Sequence, residues 1–450
     1  KNMPWWSFRH RSAKIRPSSS SGEEGGGGRR KIFRKPLVPF QVVNLQTVVR
    51  RYGGQRHPRI DSYDVFKQSG ELVEWRFVPV GSTVIYISHE WTGTDRPDHD
   101  GTQMYHLLLL LRRLQGGKIS RTDMDAFHSL LYKHNHTTMA EEWKRMLNPE
   151  KTFLWYDGFC IPESRREDGF RSIPAYIQLC DFMIILAPGC THFDRIDPRT
   201  QRKMNLCYRT YRLRARCVFE LFCGFLTTKG GEKARPILLV RSGTGTPNWI
   251  SALECQKLAV GTSSFVCCET NHTTIKKCRR SVCLVILGRL IDERVHSLLK
   301  ANRYEEARMT ICLKKWWLRG LEYRQEEIFS ITTFKTTLRW HQVIDGEWFD
   351  RCDFPVLLYA SLSDRVSVVK ELLENLPKNN SSLRTKYLRS RIPKSGLPCL
   401  GFTGQTSALH CAVAGASEEV VALLLKHGTN PFETDIAGND PLMFASIFGR

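Results

Sequence analysis

Residues 83–88 (TVIYIS) constrain the fold more than any other stretch of this chain. They form an unbroken apolar, β-branched and aromatic run with Gly81 just before it. A run of this length without polar alternation reads as a strand buried on both faces, as in the middle of a parallel sheet. It stops abruptly at Ser88-His89-Glu90-Trp91 and gives way to a loop rich in Asp, Pro and Gly. Residues 152–157 (TFLWYD) and 182–187 (FMIILA) repeat the form. Ligands of open α/β sheets collect outside the carboxyl ends of the strands, so three such endings on one edge are where chemistry is to be sought.

The intervening segments supply crossovers. Residues 103–114 read as a leucine-rich helix capped by Asp100 or Thr102. Residues 115–150 read as an insertion with helical patches at 122–132 and 139–147, and with His134 and His136 on the surface between them. Residues 172–179 are expected as a short helix with Pro174 in its first turn. A long basic loop to about residue 209, a helix over 212–227 and a fourth strand at 235–241 follow. A helix over 251–258 and a fifth strand at 264–268 complete the pattern, and residues 36–79 add an edge strand or lead-in. Strands alternating with helices predict an α/β domain with a doubly wound parallel sheet and right-handed crossovers over 36–272.

From residue 275 the periodicity becomes helical, and residues 273–350 read as an all-α connector. Over 351–450 a repeat appears. Leu409, His410 and Ala412 recur as Leu442, Met443 and Ala445 at a spacing of 33, the ankyrin period. A weaker copy aligns at a shift of 52, with Ala360 on Ala412 and Leu372-Leu373 on Leu424-Leu425; the excess over one period is an insertion near 378–396. Ankyrin helix pairs bury their apolar faces only by stacking, and they imply a protein partner. The chain begins with Lys1 and stops inside a repeat, as a piece of a longer chain would.

The formal net charge of +22 is read as a solvated basic surface plus a basic tail, so nucleic acid is not the expected partner. The tail, residues 1–35, carries Ser and Gly runs and basic clusters, and is expected to be disordered, with nuclear import as a secondary role. Fifteen cysteines without CxxC pairs read as reduced thiols of an intracellular, cytoplasmic protein rather than disulfides or a metal site. The greasiest runs are far short of a membrane span.

Several motifs in sequence order carry a resemblance. They are Ile87-Ser88-His89-Glu90-Trp91, Trp155-Tyr156-Asp157-Gly158-Phe159-Cys160-Ile161-Pro162, Ser172-Ile173-Pro174-Ala175-Tyr176, Ile185-Leu186-Ala187-Pro188 and Cys217-Val218-Phe219-Glu220. Together they resemble the heterokaryon-incompatibility-like group, whose fold is similar to Toll/interleukin-1 receptor (TIR) domains. The chain departs from the group at Glu163, where Gln is usual, and at Arg216, where Trp precedes the Cys. The resemblance implies a TIR-like, flavodoxin-like domain able to self-associate. It also implies a candidate catalytic glutamate, Glu220, with Ser88, His89 and Asp157 as cleft residues and NAD as a possible substrate.

Cleavage of the nicotinamide–ribose bond leaves an oxocarbenium-like sugar, which a nearby carboxylate stabilises. The competing reading pairs Glu220 with Arg214, Arg216 or another base and gives it a structural role. Glu90 either lines the edge or caps a loop, His89 is expected to be structural, and Cys160 is expected to be a packed thiol. Two functions follow: an intracellular interaction and signalling protein joining a TIR-like domain to ankyrin repeats, or an NAD-cleaving enzyme using Glu220. No metal and no further cofactor are expected. A buried, ion-paired Glu220 favours the first.

Overall fold

A computed structural model describes residues 36–132, 136–229, 233–265, 278–321, 330–340, 348–350, 354–376, 380–397 and 400–448. The stretch expected as a basic tail, 1–35, lies outside them. The chain divides into two compact units: one comprises residues up to Met124 plus His136–Trp249, the other Asp125–Asn135 plus the chain from Ile250.

The first unit is built on a seven-stranded sheet. Its strands are β1 (Gln41–Asn44), β2 (Leu72–Glu74), β3 (Thr83–His89), β4 (Thr152–Trp155), β5 (Phe182–Leu186), β6 (Ile237–Val240) and β7 (Asn248–Ile250). Across the sheet they lie in the order β7-β6-β5-β3-β4-β1-β2. The four strands expected from apolar runs are parallel neighbours: Tyr86 of β3 faces Trp155 of β4 and Met183 of β5, and Leu238 of β6 faces Ile184. Every residue of β4, β5 and β6 is buried. That is why these strands are uniformly apolar rather than alternating.

The sheet is nonetheless mixed, which corrects the purely parallel expectation. β1 runs antiparallel to both β4 and β2. With four residues, QVVN, β1 is too short to display either period, although Val42 and Val43 are wholly buried. The chain entering β1 is pinned by the Ser172–Tyr176 motif. Ser172 Oγ accepts the Leu37 N–H at 2.9 Å, and the Tyr176 hydroxyl donates to the Val38 carbonyl at 2.9 Å. Among the described residues the last strand of the sheet is β7; of the strand expected at 264–268, residues 266–268 lie outside the described residues.

Helix α1 (Thr102–Gln115) follows β3, α2 (Arg166–Leu179) follows β4 and α3 (Ala215–Leu226) precedes β6. α2 starts six residues before the expected position, so Pro174 lies in its interior. Proline removes one intrahelical hydrogen bond there, and the buried packing of Ile173, Ala175 and Tyr176 holds the helix through it. The basic stretch after β5 is a two-stranded arm, Cys190–Ile196 paired with Lys203–Leu206, rather than a loop. In the insertion, Arg121–Asp123 pairs with Thr137–Met139 ahead of the Ala140–Met146 helix. His136 is buried beside Trp249 rather than on the surface, and burial lowers its pKa to about 4. His134 lies outside the described residues.

The second unit is helical. Arg279–Lys300 and Tyr304–Trp317 form an antiparallel pair closed on Leu298 and Ala307. Val356–Leu362 with Val366–Glu374, and Ala408–Gly415 with Glu418–Lys426, are two helix pairs of the same form, and Pro441–Phe448 begins a third. The Thr-Ser-Ala-Leu-His stretch opens one pair. Ser407 Oγ lies 2.8 Å from His410 Nδ1 and caps the helix, while His410 Nε2 donates to the Asn439 carbonyl at 3.0 Å. One histidine therefore ties a helix start to the loop before the next helix. The segment Asp125–Asn135 joins this unit through His128: Ser251 N–H donates to Nδ1 at 3.0 Å, and Nε2 donates to Glu254 at 3.0 Å.

Within the repeats, Leu424 is fully buried while the adjacent Leu425 is 42% exposed. Leu424→Ala is therefore expected to cost ~2–5 kcal/mol, and Leu425→Ala under about 1 kcal/mol. Denaturant unfolding followed by circular dichroism distinguishes them, and equal losses would contradict the helix-pair packing.

Candidate functional site

The site is built at the carboxyl edge of β3. Side chains alternate along a strand, so Ser88 and His89 leave on opposite faces. Ser88 reaches α3, where its hydroxyl donates to Glu220 Oε2 at 2.5 Å and lies 2.7 Å from Tyr211 Oη. His89 reaches α1 and the turn after β4: Nδ1 lies 2.7 Å from Gln103 Oε1, and Nε2 lies 2.9 Å from Asp157 Oδ1. Arg216, one turn before Glu220 on α3, joins the two halves. Its Nε donates to Glu220 Oε1 at 3.1 Å and its terminal nitrogen to Asp157 Oδ2 at 2.6 Å. Trp91 Nε1 adds a 2.8 Å bond to the same Asp157 oxygen.

The four residues expected at this edge, Ser88, His89, Asp157 and Glu220, thus stand in one hydrogen-bonded chain. Glu220 is only 3% exposed, whereas the Arg216 side chain is 29% exposed. Glu90 turns aside: it pairs with Arg214 at 3.2 Å and accepts from the Thr210 hydroxyl at 2.7 Å. Cys160 is buried, and burial pushes its thiol pKa far up, so it is poorly suited to act as a nucleophile. Among the described residues no His, Cys, Asp and Glu cluster could hold a metal ion.

The protonation pattern follows from the bonds. Gln103 Nε2 donates to the Glu90 carbonyl at 2.7 Å, which leaves Oε1 to face His89. Both ring nitrogens of His89 thus meet acceptors, and an imidazole with two acceptors is held in its protonated form. Burial works against that charge, but Asp157 and Gln103 outweigh it and raise the His89 pKa. Burial likewise opposes the Asp157 charge, yet Arg216 and His89 hold its carboxyl well below the usual range. At Glu220 burial prevails over Arg216 and Ser88, and the pKa is raised. Arg216 is thus flanked by one firmly ionised carboxylate and one that takes up a proton more readily.

Helix α1 opens beside this chain on two aspartates: the expected Asp100 accepts the Thr102 N–H at 3.1 Å, and the buried Asp98 serves the next two residues. The Asp98 carboxylate accepts the Gln103 and Met104 N–H groups at 3.2 and 2.8 Å, and burial raises its pKa to about 6. Gly101 is required at the helix entry. Its φ is +70°, and a Cβ there would stand 2.0 Å from the Pro58 carbonyl oxygen.

Sequence reasoning missed Gln103, Tyr211 and Trp91 as partners. Trp91 is the last residue of the quoted Ile87–Trp91 motif and was within reach, whereas Tyr211 and Gln103 carry no spacing that ties them to it.

Two outcomes are expected. Arg216→Met leaves Glu220 buried without its cation and Asp157 with His89 alone, and unfolding free energy should fall, by at most the ~3–5 kcal/mol of a fully buried broken pair because Arg216 is partly exposed. Adding Glu220→Gln should recover part of the loss; no recovery would separate the loss from charge. Second, His89 has a folded pKa above its unfolded value of about 6.5. Its contribution to stability is full below that value and disappears as pH rises through the folded pKa. The stability difference between wild type and His89→Leu should therefore shrink on the alkaline side, read from denaturation midpoints across pH.

Comparison with known families reaches the other end of the chain. A family model described as Ankyrin repeats (many copies) matches residues 409–450. No curated protein and no solved structure matches the chain. The helices Ala408–Gly415, Glu418–Lys426 and Pro441–Phe448 therefore belong to ankyrin repeats, which indicate a protein-interaction role.

Proposed function

We propose that the protein is an interaction and signalling protein in which a TIR-like α/β unit is joined to ankyrin repeats that dock a protein partner. The observation that carries this choice is the state of Glu220, buried and held by both Arg216 and Ser88. A carboxylate that stabilises a cationic sugar must present a free edge to it. Here each Glu220 oxygen is engaged by a side chain of the protein itself. The TIR-like reading is supported by the strand order: in chain order the parallel strands β3, β4, β5 and β6 lie as second, first, third, fourth, which is the flavodoxin-like arrangement. Its switch point falls between β3 and β5, beside Ser88 and His89.

The arginine that takes the place of the tryptophan before Cys217 is the residue that neutralises Glu220. On this reading it makes the candidate catalytic Glu220 a structural residue, and the unit acts through its surfaces, including self-association. Among the described residues no helix is long and apolar enough to cross a membrane.

The test is nicotinamide release from NAD by the full chain at high protein concentration, in wild type and Glu220→Gln. The expected result is no release from either. Release by wild type that is abolished in a folded Glu220→Gln protein would overturn the reading in favour of an NAD-cleaving enzyme. In parallel, a cross-linked partner should be lost on Phe432→Glu, which alters an exposed residue of the repeats; retention of every partner would argue that the repeats are not the docking element.

A further inference from the structure

The arm formed by Cys190–Ile196 and Lys203–Leu206 takes no part in the bonds that hold Glu220, and it has a surface of its own. Residues 190–216 contain eight Lys or Arg and two Asp. Two of the arginines, Arg214 and Arg216, are taken up by Glu90, Asp157 and Glu220. Both aspartates are turned to backbone: Asp194 accepts the Thr94 N–H at 2.7 Å and Asp197 the Arg199 N–H at 2.8 Å. The arm is fixed rather than floating. Phe193 N–H donates to the Thr92 carbonyl at 2.6 Å, and the Phe193 ring stacks on His99 at 3.5 Å. Arg199, Arg202 and Lys203 are exposed at or beside its turn.

Apolar groups stand among these charges. Phe193 is 50% exposed and Ile196 is 47% exposed. Ile196 and Lys203 are cross-strand partners, and the Lys203 ammonium lies 4.9 Å from the Phe193 ring centroid. Lys203 therefore stands beside both Ile196 and Phe193, with Arg199 and Arg202 at the turn of the arm. From this arrangement we infer that the arm is a second docking surface, for a protein segment that alternates acidic and apolar side chains. It goes beyond the repeat-mediated role and does not depend on it.

The apolar component decides the partner class. Nucleic acid pairs basic side chains with aromatic faces open to base stacking. The Phe193 ring is already stacked on His99 at 3.5 Å and has the Lys203 ammonium 4.9 Å from its centroid, so it is a poor platform for a base. Its exposed half and the Ile196 side chain suit aliphatic contact. The basic residues are positioned to meet carboxylates at the rim, where charge sets association rate and selectivity.

The experiment uses the full chain and fluorescence anisotropy with a labelled twelve-residue peptide of alternating Glu and Leu. A Lys-Leu peptide, a single-stranded oligonucleotide and phosphatidylserine vesicles serve as the other arms. The Glu-Leu peptide should bind best, weaken as salt rises, and lose about tenfold or more in affinity with Arg199→Glu plus Arg202→Glu. Ile196→Ser should weaken the peptide without changing the salt dependence. No Glu-Leu binding, equal binding to the charge-reversed chain, or tighter binding of the oligonucleotide or vesicles would each overturn the inference. The substituted residues are exposed, so a circular dichroism spectrum matching wild type is expected and separates lost binding from lost structure.

Discussion

Arg216 is the charge on which the carboxyl edge of the central sheet depends. Four residues arrive there from three elements: Ser88 and His89 from β3, Asp157 from the turn after β4, and Glu220 from α3. Left alone, they would place two acidic groups in a buried space, and burial of unpaired charge is among the most expensive things a fold can do. The guanidinium suits the task because its donors are fixed in a plane and can serve two carboxylates at once. The result is an alternating row, imidazolium, carboxylate, guanidinium, carboxyl, that orients β3 against α1 on one side and α3 on the other. Such a row specifies an arrangement more than it adds net stability.

Different parts of this structure were legible in the sequence to different degrees, for physical reasons. β3, β4, β5 and β6 were visible because both faces of each are buried and the apolar run is uninterrupted. β1 was not, since four residues carry no period. The arm Cys190–Leu206 resembled a loop because Pro198, the aspartates and the basic residues conceal its alternation. α2 was placed too late because Pro174 signals a helix start, and only tertiary packing reveals it as an interior residue. The candidate site was readable as a set of strand endings. What could not be read was the link between them: i to i+4 spacing put Arg216 beside Glu220, but no spacing could announce that the same guanidinium would reach Asp157, 59 positions away. The resemblance singled out Ser88, His89, Asp157 and Glu220, and the structure brings these four together through Arg216.

The two units rest on different principles. The first uses a broad sheet with a polar row along one edge. The second stacks helix pairs whose starts are tied by local polar bonds, Ser407 and His410 in one place and Asp435 accepting the Asn439 N–H at 2.8 Å in another. These bonds lie inside the repeats, so exposed positions such as Phe432 and Leu442 are left free to vary with the partner.

The placement of Asp125–Asn135 in the second unit has a temporal consequence. His128 and the residue whose amide it accepts, Ser251, are 123 positions apart. At about 5–20 residues per second of synthesis, the helix carrying His128 waits roughly 6–25 s for that partner. Strands β1 to β5 end at Leu186 and are made well before that partner, whereas β6 and β7 arrive together with it. The nascent chain therefore carries this one helix without its partner until the ribosome reaches the last strands of the sheet.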